Sequence, residues 1–183
     1  GIGDISKNQF EAIVDFSEDF AKEETKRKLL GKILEEVQTI KDLDLPYAMY
    51  VLGFLLRSFN ILSIEEQNSV KELIVDRLIT TLSDEGITET EFLPLYERIN
   101  SLALSINLSL PAMLMLNENK DKLLAVLSRH VELWKVYFVI RIIGSYVKDM
   151  HLSTDELYPD RSIGAIYRGL VETAYQSGRK NGQ

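Results

Sequence analysis

The chain has 183 residues, 45% of them hydrophobic and 27% charged, and this composition excludes an intrinsically disordered protein. The absence of cysteine excludes disulfide scaffolds, cysteine-ligated zinc, iron–sulfur centres and thiol catalysis. The formal net charge of −7 argues against a general nucleic-acid-binding protein and against a polybasic membrane-surface protein.

Apolar residues recur at helical spacing along nearly the whole chain. The first stripe consists of Phe10, Ile13, Val14, Ser17 and Phe20. A second stripe covers 29–40, and the third, Pro46–Phe59, is apolar nearly all round, which predicts a central helix. Two more stripes cover 70–82 and 92–106, and further helices are expected at about 110–128, 130–150 and 160–176.

Capping boxes support four of these helix starts. In a capping box, a hydroxyl group and the side chain three residues later each accept a hydrogen bond from the other residue's backbone N–H. The four pairs are Ser6 with Gln9, Ser63 with Glu66, Thr88 with Glu91, and Ser153 with Glu156. Gly86 is predicted to end the fourth helix in the left-handed conformation, with Ile87 as the accompanying hydrophobic contact.

Residues 101–110 also carry a pattern typical of a strand, because apolar residues alternate there with small or polar ones. We favour a helix up to about Ile106, since the stripe that begins at Phe92 runs through this segment. A strand here would also lack a partner strand elsewhere in the chain, and an isolated strand is not stable.

The sequence therefore predicts an all-α fold of seven or eight helices, arranged as an irregular helical bundle or as a short stack of antiparallel helix pairs. We expect a single domain over 1–176 and a disordered polar tail over 177–183. The longest strongly apolar run, Pro46–Leu56, is shorter than the roughly 20 residues of a membrane span. We expect a soluble protein, with the cytoplasm favoured, although residue 1 is glycine and a signal peptide could have been removed.

The common chemical motifs are missing from the sequence. His130 and His151 are the only histidines, and neither follows a glutamate by three residues, as a metal site in a helical bundle would require. The patterns of a phosphate-binding loop, a dinucleotide-binding turn, a serine nucleophile and a calcium loop are absent too. We therefore expect no catalytic residue, no metal and no cofactor, and an enzyme is the minor hypothesis.

One helix carries an unusual combination of side chains on a single face. At about 100° per residue, six residues fall within an arc of about 80°. They are His130, Trp134, Tyr137, Arg141, Ser145 and Lys148. Trp and Arg are the residue types that most often dominate binding energy, so this stripe predicts a recognition surface for an acidic partner segment or an anionic small ligand. The other interpretation is that Trp134 and Tyr137 pack under a neighbouring helix while the cations reach water.

These observations favour a non-catalytic helical module for protein–protein interaction, or an adaptor, that binds another protein or itself and no nucleic acid. The alternative is a regulatory domain that binds a small molecule in an apolar pocket between helices. That pocket would be lined by Met49, Tyr50, Phe54, Met113 and Met115. Ordinary core packing also explains these five residues, because apolar side chains of this kind are usually buried.

Overall fold

The computed structural model describes residues 1–129, 132–150, 168–172 and 175–176. These residues form helices and turns without a strand, which confirms the predicted all-α fold. The helices are α1 Lys7–Asp19, α2 Glu23–Glu35, α3 Val37–Asp42, α4 Leu45–Arg57, α5 Ile64–Ser83, α6 Glu89–Ser105, α7 Leu110–Leu114, α8 Asn117–Arg129 and α9 Leu133–Asp149. Short 3-10 turns cover Ile2–Asp4 and Phe59–Ile61, and residues 168–172 are also helical.

The helices are more numerous than the seven or eight predicted, because two expected helices are each divided. The stripe over 29–40 is shared between α2 and α3, which a turn at Glu36 separates. The helix expected at about 110–128 is likewise divided into α7 and α8 by the turn at Met115 and Leu116. Helical periodicity continues across a short turn, so the apolar pattern alone does not report the interruption.

The chain folds into two compact units. Unit 1 comprises residues 1–81 and 94–108, and unit 2 comprises 82–93 and the described residues from Ser109 onward. The division therefore falls within the sequences of α5 and α6. The single domain over 1–176 stays a prediction, and the tail over 177–183 lies outside the described residues.

The core of unit 1 is built around α4, as the sequence predicts. Every residue of 51–56 on this helix is buried. The ring of Phe10 on α1 lies 5.7 Å from Tyr47, 5.9 Å from Tyr50 and 6.3 Å from Phe54, measured between ring centroids. Such tilted and edge-on aromatic pairs are favourable and also bury a large apolar area.

The buried face of α1 is narrower than predicted. Phe10, Val14 and Ser17 are buried, but the exposed fraction of Ile13 is 43% and that of Phe20 is 77%. The first predicted stripe is therefore wrong at these two positions. Their spacing places them beside the buried face, where the packing of unit 1 leaves them uncovered.

The end of α6 decides the ambiguous segment over 101–110. The helix continues to Ser105, so the strand interpretation is wrong. Asn107 then adopts the left-handed conformation with φ of 60°, and the N–H of Leu108 bonds to the carbonyl of Ala103 at 2.8 Å. This is the helix ending in which a left-handed residue lets the chain satisfy the last carbonyls. The alternation of side chains reflects a helix end and the turn after it.

The predicted helix starts are confirmed at Ser6 and Ser63, where both capping hydrogen bonds form. At Thr88 the hydroxyl accepts from the Glu91 N–H at 3.3 Å, but the Glu91 carboxylate accepts from the Thr88 hydroxyl at 2.8 Å and not from its backbone. The fourth box, at Ser153, lies outside the described residues.

The prediction for Gly86 is wrong, because this glycine does not adopt a positive φ. Its N–H instead donates to the carboxylate of Asp84 at 2.9 Å. The aspartate side chain turns the backbone just after α5, so a left-handed glycine is not required. Ile87, which was expected to make the hydrophobic contact beyond this cap, is buried.

Glu66 makes the stability of unit 1 sensitive to acid. The Ser63 N–H donates to its carboxylate at 2.9 Å, and Arg27 donates to the same oxygen at 3.2 Å. The backbone hydrogen bond from Ser63 is the largest cause that lowers the pKa of Glu66 below its ordinary value of 4.5. Because this pKa is lowered by folding, the stabilisation is complete above pH 4.5 and is lost as the pH falls through the folded-state pKa.

We therefore expect Glu66→Gln to reduce the loss of stability that the parent chain shows between about pH 5 and pH 3. Urea unfolding at a series of pH values would measure this slope. Glu65→Gln removes an equal charge from the adjacent exposed position and should keep the slope of the parent chain. Equal slopes for Glu66→Gln and the parent chain would contradict the role given to the Ser63 and Arg27 hydrogen bonds.

Candidate functional site

The predicted stripe lies on α9, within unit 2, where α7 and α8 both pack against this helix. The buried face of α9 consists of Lys135, Val136, Phe138, Val139, Ile142 and Ile143. At about 100° per residue, Phe138, Val139, Ile142 and Ile143 lie on the side of α9 opposite the stripe, so their burial anchors the helix. The opposite side of the helix is therefore left facing outward.

Trp134 belongs to an aromatic cluster at the beginning of α9 and is only partly exposed. Its ring centroid lies 5.7 Å from that of Phe92, and Phe92 meets Phe138 edge-on at 5.0 Å. The indole N–H donates to the Glu132 carboxylate at 2.7 Å. Trp134 therefore packs against a neighbouring helix, as the second interpretation of the stripe expects. Its ring has a tilted aromatic neighbour, and its N–H group has an acceptor.

The remaining described residues of the stripe face outward to different degrees. Tyr137 is 53% exposed, Arg141 and Lys148 are exposed, and Ser145 is partly exposed. Gly144, which the sequence did not single out, is exposed as well, and a Cβ built on it would meet no atom within 4 Å. His130 lies outside the described residues.

Four of these residues define what we call the α9 outer stripe: Tyr137, Arg141, Gly144 and Lys148. Their spacing of four, three and four residues places them above one another on one side of the helix. The stripe combines an exposed aromatic ring, a guanidinium group, an open backbone and an ammonium group. These groups can bind a carboxylate-bearing segment by hydrogen bonds, ion pairs and aromatic contact.

Lys135 is the residue of this region that the sequence reasoning missed. Its side chain is completely buried, and its ammonium group donates to the Asp84 carbonyl at 3.1 Å. The same ammonium lies 5.6 Å from the centroid of the Trp134 ring. Asp84 follows directly after α5, whose last turn contains no basic residue, so Lys135 brings a positive charge to the negative end of that helix.

A sequence signal for this burial exists. Lys135 stands three, four and seven residues before Phe138, Val139 and Ile142, which is the spacing of the buried face. Because lysine is charged, a search for apolar residues alone does not identify position 135 as part of the core face. A lysine at a core position of an amphipathic helix predicts a buried ammonium with an acceptor nearby.

The five residues of the alternative pocket are divided between the two units. Met49, Tyr50 and Phe54 lie on α4 in unit 1, where Tyr50 and Phe54 both contact the Phe10 ring. Met113 lies on α7 and Met115 directly after it, both buried in unit 2. Each group takes part in the packing of its own unit, and the pocket stays a prediction.

Features of two other site types are missing from the described part of the chain. Among residues 1–129, 132–150, 168–172 and 175–176, no three histidine, cysteine or acidic side chains are grouped so that they could hold a metal ion. No helix within the same residues is long and apolar enough to cross a bilayer.

No protein-family model, curated protein or solved structure matches this chain. Its function is therefore inferred from the exposed surface of the chain itself, and the α9 outer stripe is the candidate recognition surface.

Proposed function

We propose that this chain is a non-catalytic helical module for protein–protein interaction, and that its α9 outer stripe binds an acidic segment of a partner protein. The observation that supports this most is the 53% exposure of Tyr137 in line with the exposed cations Arg141 and Lys148. Tyrosine and arginine are enriched among the residues that dominate binding energy. The tyrosine ring buries a large area with few rotatable bonds, and the planar guanidinium of arginine presents several donors in a fixed geometry.

The position of the stripe on a packed helix favours binding. The opposite face of α9 is buried, so its backbone is already ordered and loses little entropy when a partner binds. From Tyr137 to Lys148 the helix rises about 16 Å, which is enough for a segment of about five extended residues. Gly144 adds an open position at which the backbone of such a segment can approach α9 closely.

The charges on the stripe specify the kind of partner. The guanidinium of Arg141 matches a carboxylate in a two-pronged hydrogen bond, and the ammonium of Lys148 attracts a second one about two helical turns further along α9. A segment that carries two acidic residues beside an apolar or aromatic one would contact all three side chains. Partners with basic segments would be repelled, so the same charges also provide specificity.

Selection of a random peptide library on the immobilised chain tests the proposal. We expect the enriched peptides to combine aspartate or glutamate with an apolar or aromatic residue. Tyr137→Ala/Arg141→Glu should weaken their binding by at least about tenfold, because it removes the aromatic contact and reverses the charge that faces the peptide. Fluorescence anisotropy with the labelled peptides would measure the change.

The matched control is Leu116→Ala/Lys122→Glu, which shortens an exposed apolar side chain and reverses an exposed charge elsewhere in unit 2. It should bind the enriched peptides as the parent chain does. Enrichment of neutral or basic peptides would reject the proposal. Equal binding by the parent chain and by Tyr137→Ala/Arg141→Glu would reject it too.

A further inference from the structure

The outer face of α1 exposes an apolar stripe on unit 1 that the packing of this unit does not use. Ile13, Phe16 and Phe20 are 43%, 63% and 77% exposed. The rings of Phe16 and Phe20 lie against each other with centroids 5.7 Å apart. A contiguous apolar patch of this kind on a folded surface marks an interaction site, whereas single exposed apolar residues are common and need no explanation.

Two exposed carboxylates lie beside this apolar stripe, on the side that faces away from the core of unit 1. On a helix, Asp15 and Asp19 lie one turn apart on the side of Phe16 that points away from the buried residue Phe10. Neither aspartate forms an ion pair with a residue that the structure describes. The other carboxylates of α1 differ, because Lys7 pairs with Glu11 at 2.9 Å and Arg57 pairs with Glu18 at 3.3 Å.

The position of Asp19 on the helix adds to the negative charge there. Asp19 is the last residue of α1, and this helix has no basic residue in its last turn. Carboxylates at a helix C-terminus are unfavourable, because the carbonyl groups at that end already carry partial negative charge. A positively charged group placed beside Asp15 and Asp19 would therefore be attracted by both the side chains and the helix end.

We infer that the outer face of α1 binds a basic amphipathic helix of another protein, with Ile13, Phe16 and Phe20 against its apolar face and Asp15 and Asp19 beside its lysines or arginines. Charge complementarity selects this partner. In a symmetric contact between two copies of this chain, the same aspartates would face each other. A membrane is disfavoured as well, since anionic lipid headgroups would repel these carboxylates.

The size of the stripe agrees with a helix as the partner. Three side chains, each of which buries at most about 250 Å², fall short of the roughly 800 Å² per partner that a stable complex of two folded proteins requires. A single helix that places its apolar residues at every third or fourth position makes contacts of this smaller extent. This inference concerns unit 1 and does not depend on the function proposed for α9.

Three synthetic peptides of about 14 residues, or four helical turns, test the inference. The first has leucines on one helical face and lysines elsewhere, the second has glutamate in place of lysine, and the third has the composition of the first in a scrambled order. We expect the first peptide to bind at least about tenfold more tightly than either of the others. Fluorescence anisotropy with each labelled peptide would measure the affinities.

Two variants then locate the binding on α1. Phe16→Ala/Phe20→Ala should weaken binding of the leucine–lysine peptide by at least about tenfold, because it removes the apolar contact. Asp15→Asn/Asp19→Asn should weaken it by about three- to tenfold and make the affinity less dependent on salt. All four side chains are exposed, so both variants should keep the circular dichroism spectrum and the unfolding midpoint of the parent chain.

The matched controls are Leu104→Ala, at an exposed leucine of unit 1, and Glu65→Gln/Glu72→Gln, which removes two exposed charges from α5. Both should bind the leucine–lysine peptide as the parent chain does. Equal binding of the ordered and scrambled peptides, or an equal loss in the controls, would overturn the inference. Dimerisation of the chain, or its binding to phosphatidylcholine–phosphatidylserine vesicles, would overturn it too if Phe16→Ala/Phe20→Ala abolished that behaviour, because the stripe would then have a different occupant.

Discussion

Replacing Phe92 with alanine is expected to lower the free energy of unfolding by about 3–5 kcal/mol. Phe92 is 1% exposed and connects two residues of α9, since its ring lies 5.7 Å from Trp134 and 5.0 Å from Phe138. The substitution removes a whole ring and leaves a cavity that two helices would have to collapse to fill. Urea unfolding, followed by the fluorescence of Trp134 and by circular dichroism, would measure the loss.

Phe16→Ala provides the control for this prediction, because Phe16 is a ring of equal size that is 63% exposed. Its effect on stability should stay within about 0.5 kcal/mol, as for most surface substitutions. A loss of less than about 1 kcal/mol for Phe92→Ala would contradict the packing described between Phe92 and α9. Coincidence of the two optical signals should be checked first, because a single free energy of unfolding requires a two-state transition.

Reversing the charge of Lys135 is expected to lower the free energy of unfolding by at least about 3 kcal/mol. In Lys135→Glu, a carboxylate replaces the ammonium that donates to the Asp84 carbonyl, so a buried negative charge faces a hydrogen-bond acceptor in place of a donor. A buried charge without a partner is among the most destabilising changes a protein can undergo. Urea unfolding would again measure the difference.

Two further variants separate charge from volume. Lys135→Met keeps an unbranched side chain of similar length without charge, and we expect its effect to stay within about 1.5 kcal/mol, because the lost hydrogen bond is offset by the removal of a buried charge. Lys122→Glu makes the same charge reversal at an exposed position of α8 and should change stability by less than about 0.5 kcal/mol. If Lys135→Glu were tolerated as well as Lys122→Glu, the ammonium of Lys135 could not be buried.

These stability variants also help to interpret binding at the α9 outer stripe. Phe92 and Lys135 support the beginning of α9 from within unit 2, whereas Tyr137 and Arg141 are exposed on its other side. A variant that weakens both folding and binding therefore acts through the position of α9. A variant such as Tyr137→Ala/Arg141→Glu, which should weaken binding at unchanged stability, acts through contact with the partner.

The part of the candidate site that the sequence predicted correctly is its local geometry. The sequence predicted a helix over 130–150 whose core face, opposite the stripe, carries Val131, Phe138, Val139, Ile140, Ile142, Ile143 and Val147. Phe138, Val139, Ile142 and Ile143 are buried, Ile140 and Val147 are partly exposed, and Val131 lies outside the described residues. Tyr137, Arg141 and Lys148 accordingly face outward. Trp134 was placed on the same stripe as these residues, but its ring packs against Phe92. Phe92 is 42 positions earlier in the chain, and a periodic pattern within one helix contains no information about such a neighbour.

The sequence by itself determined the helical class of the fold, the helix starts at Ser6 and Ser63 and the central position of α4 in unit 1. These properties depend on interactions within a few residues, namely the spacing of apolar side chains and the hydrogen bonds of residues such as Ser6 and Ser63. Only the tertiary structure decided that the acceptor of Lys135 is the Asp84 carbonyl, 51 positions earlier, and that Phe16 and Phe20 are exposed. The reason is that burial depends on which distant segment covers a given side of a helix. The hydrophobic pattern of a sequence shows how wide the apolar face of a helix is. The packing of several helices determines which part of that face is covered.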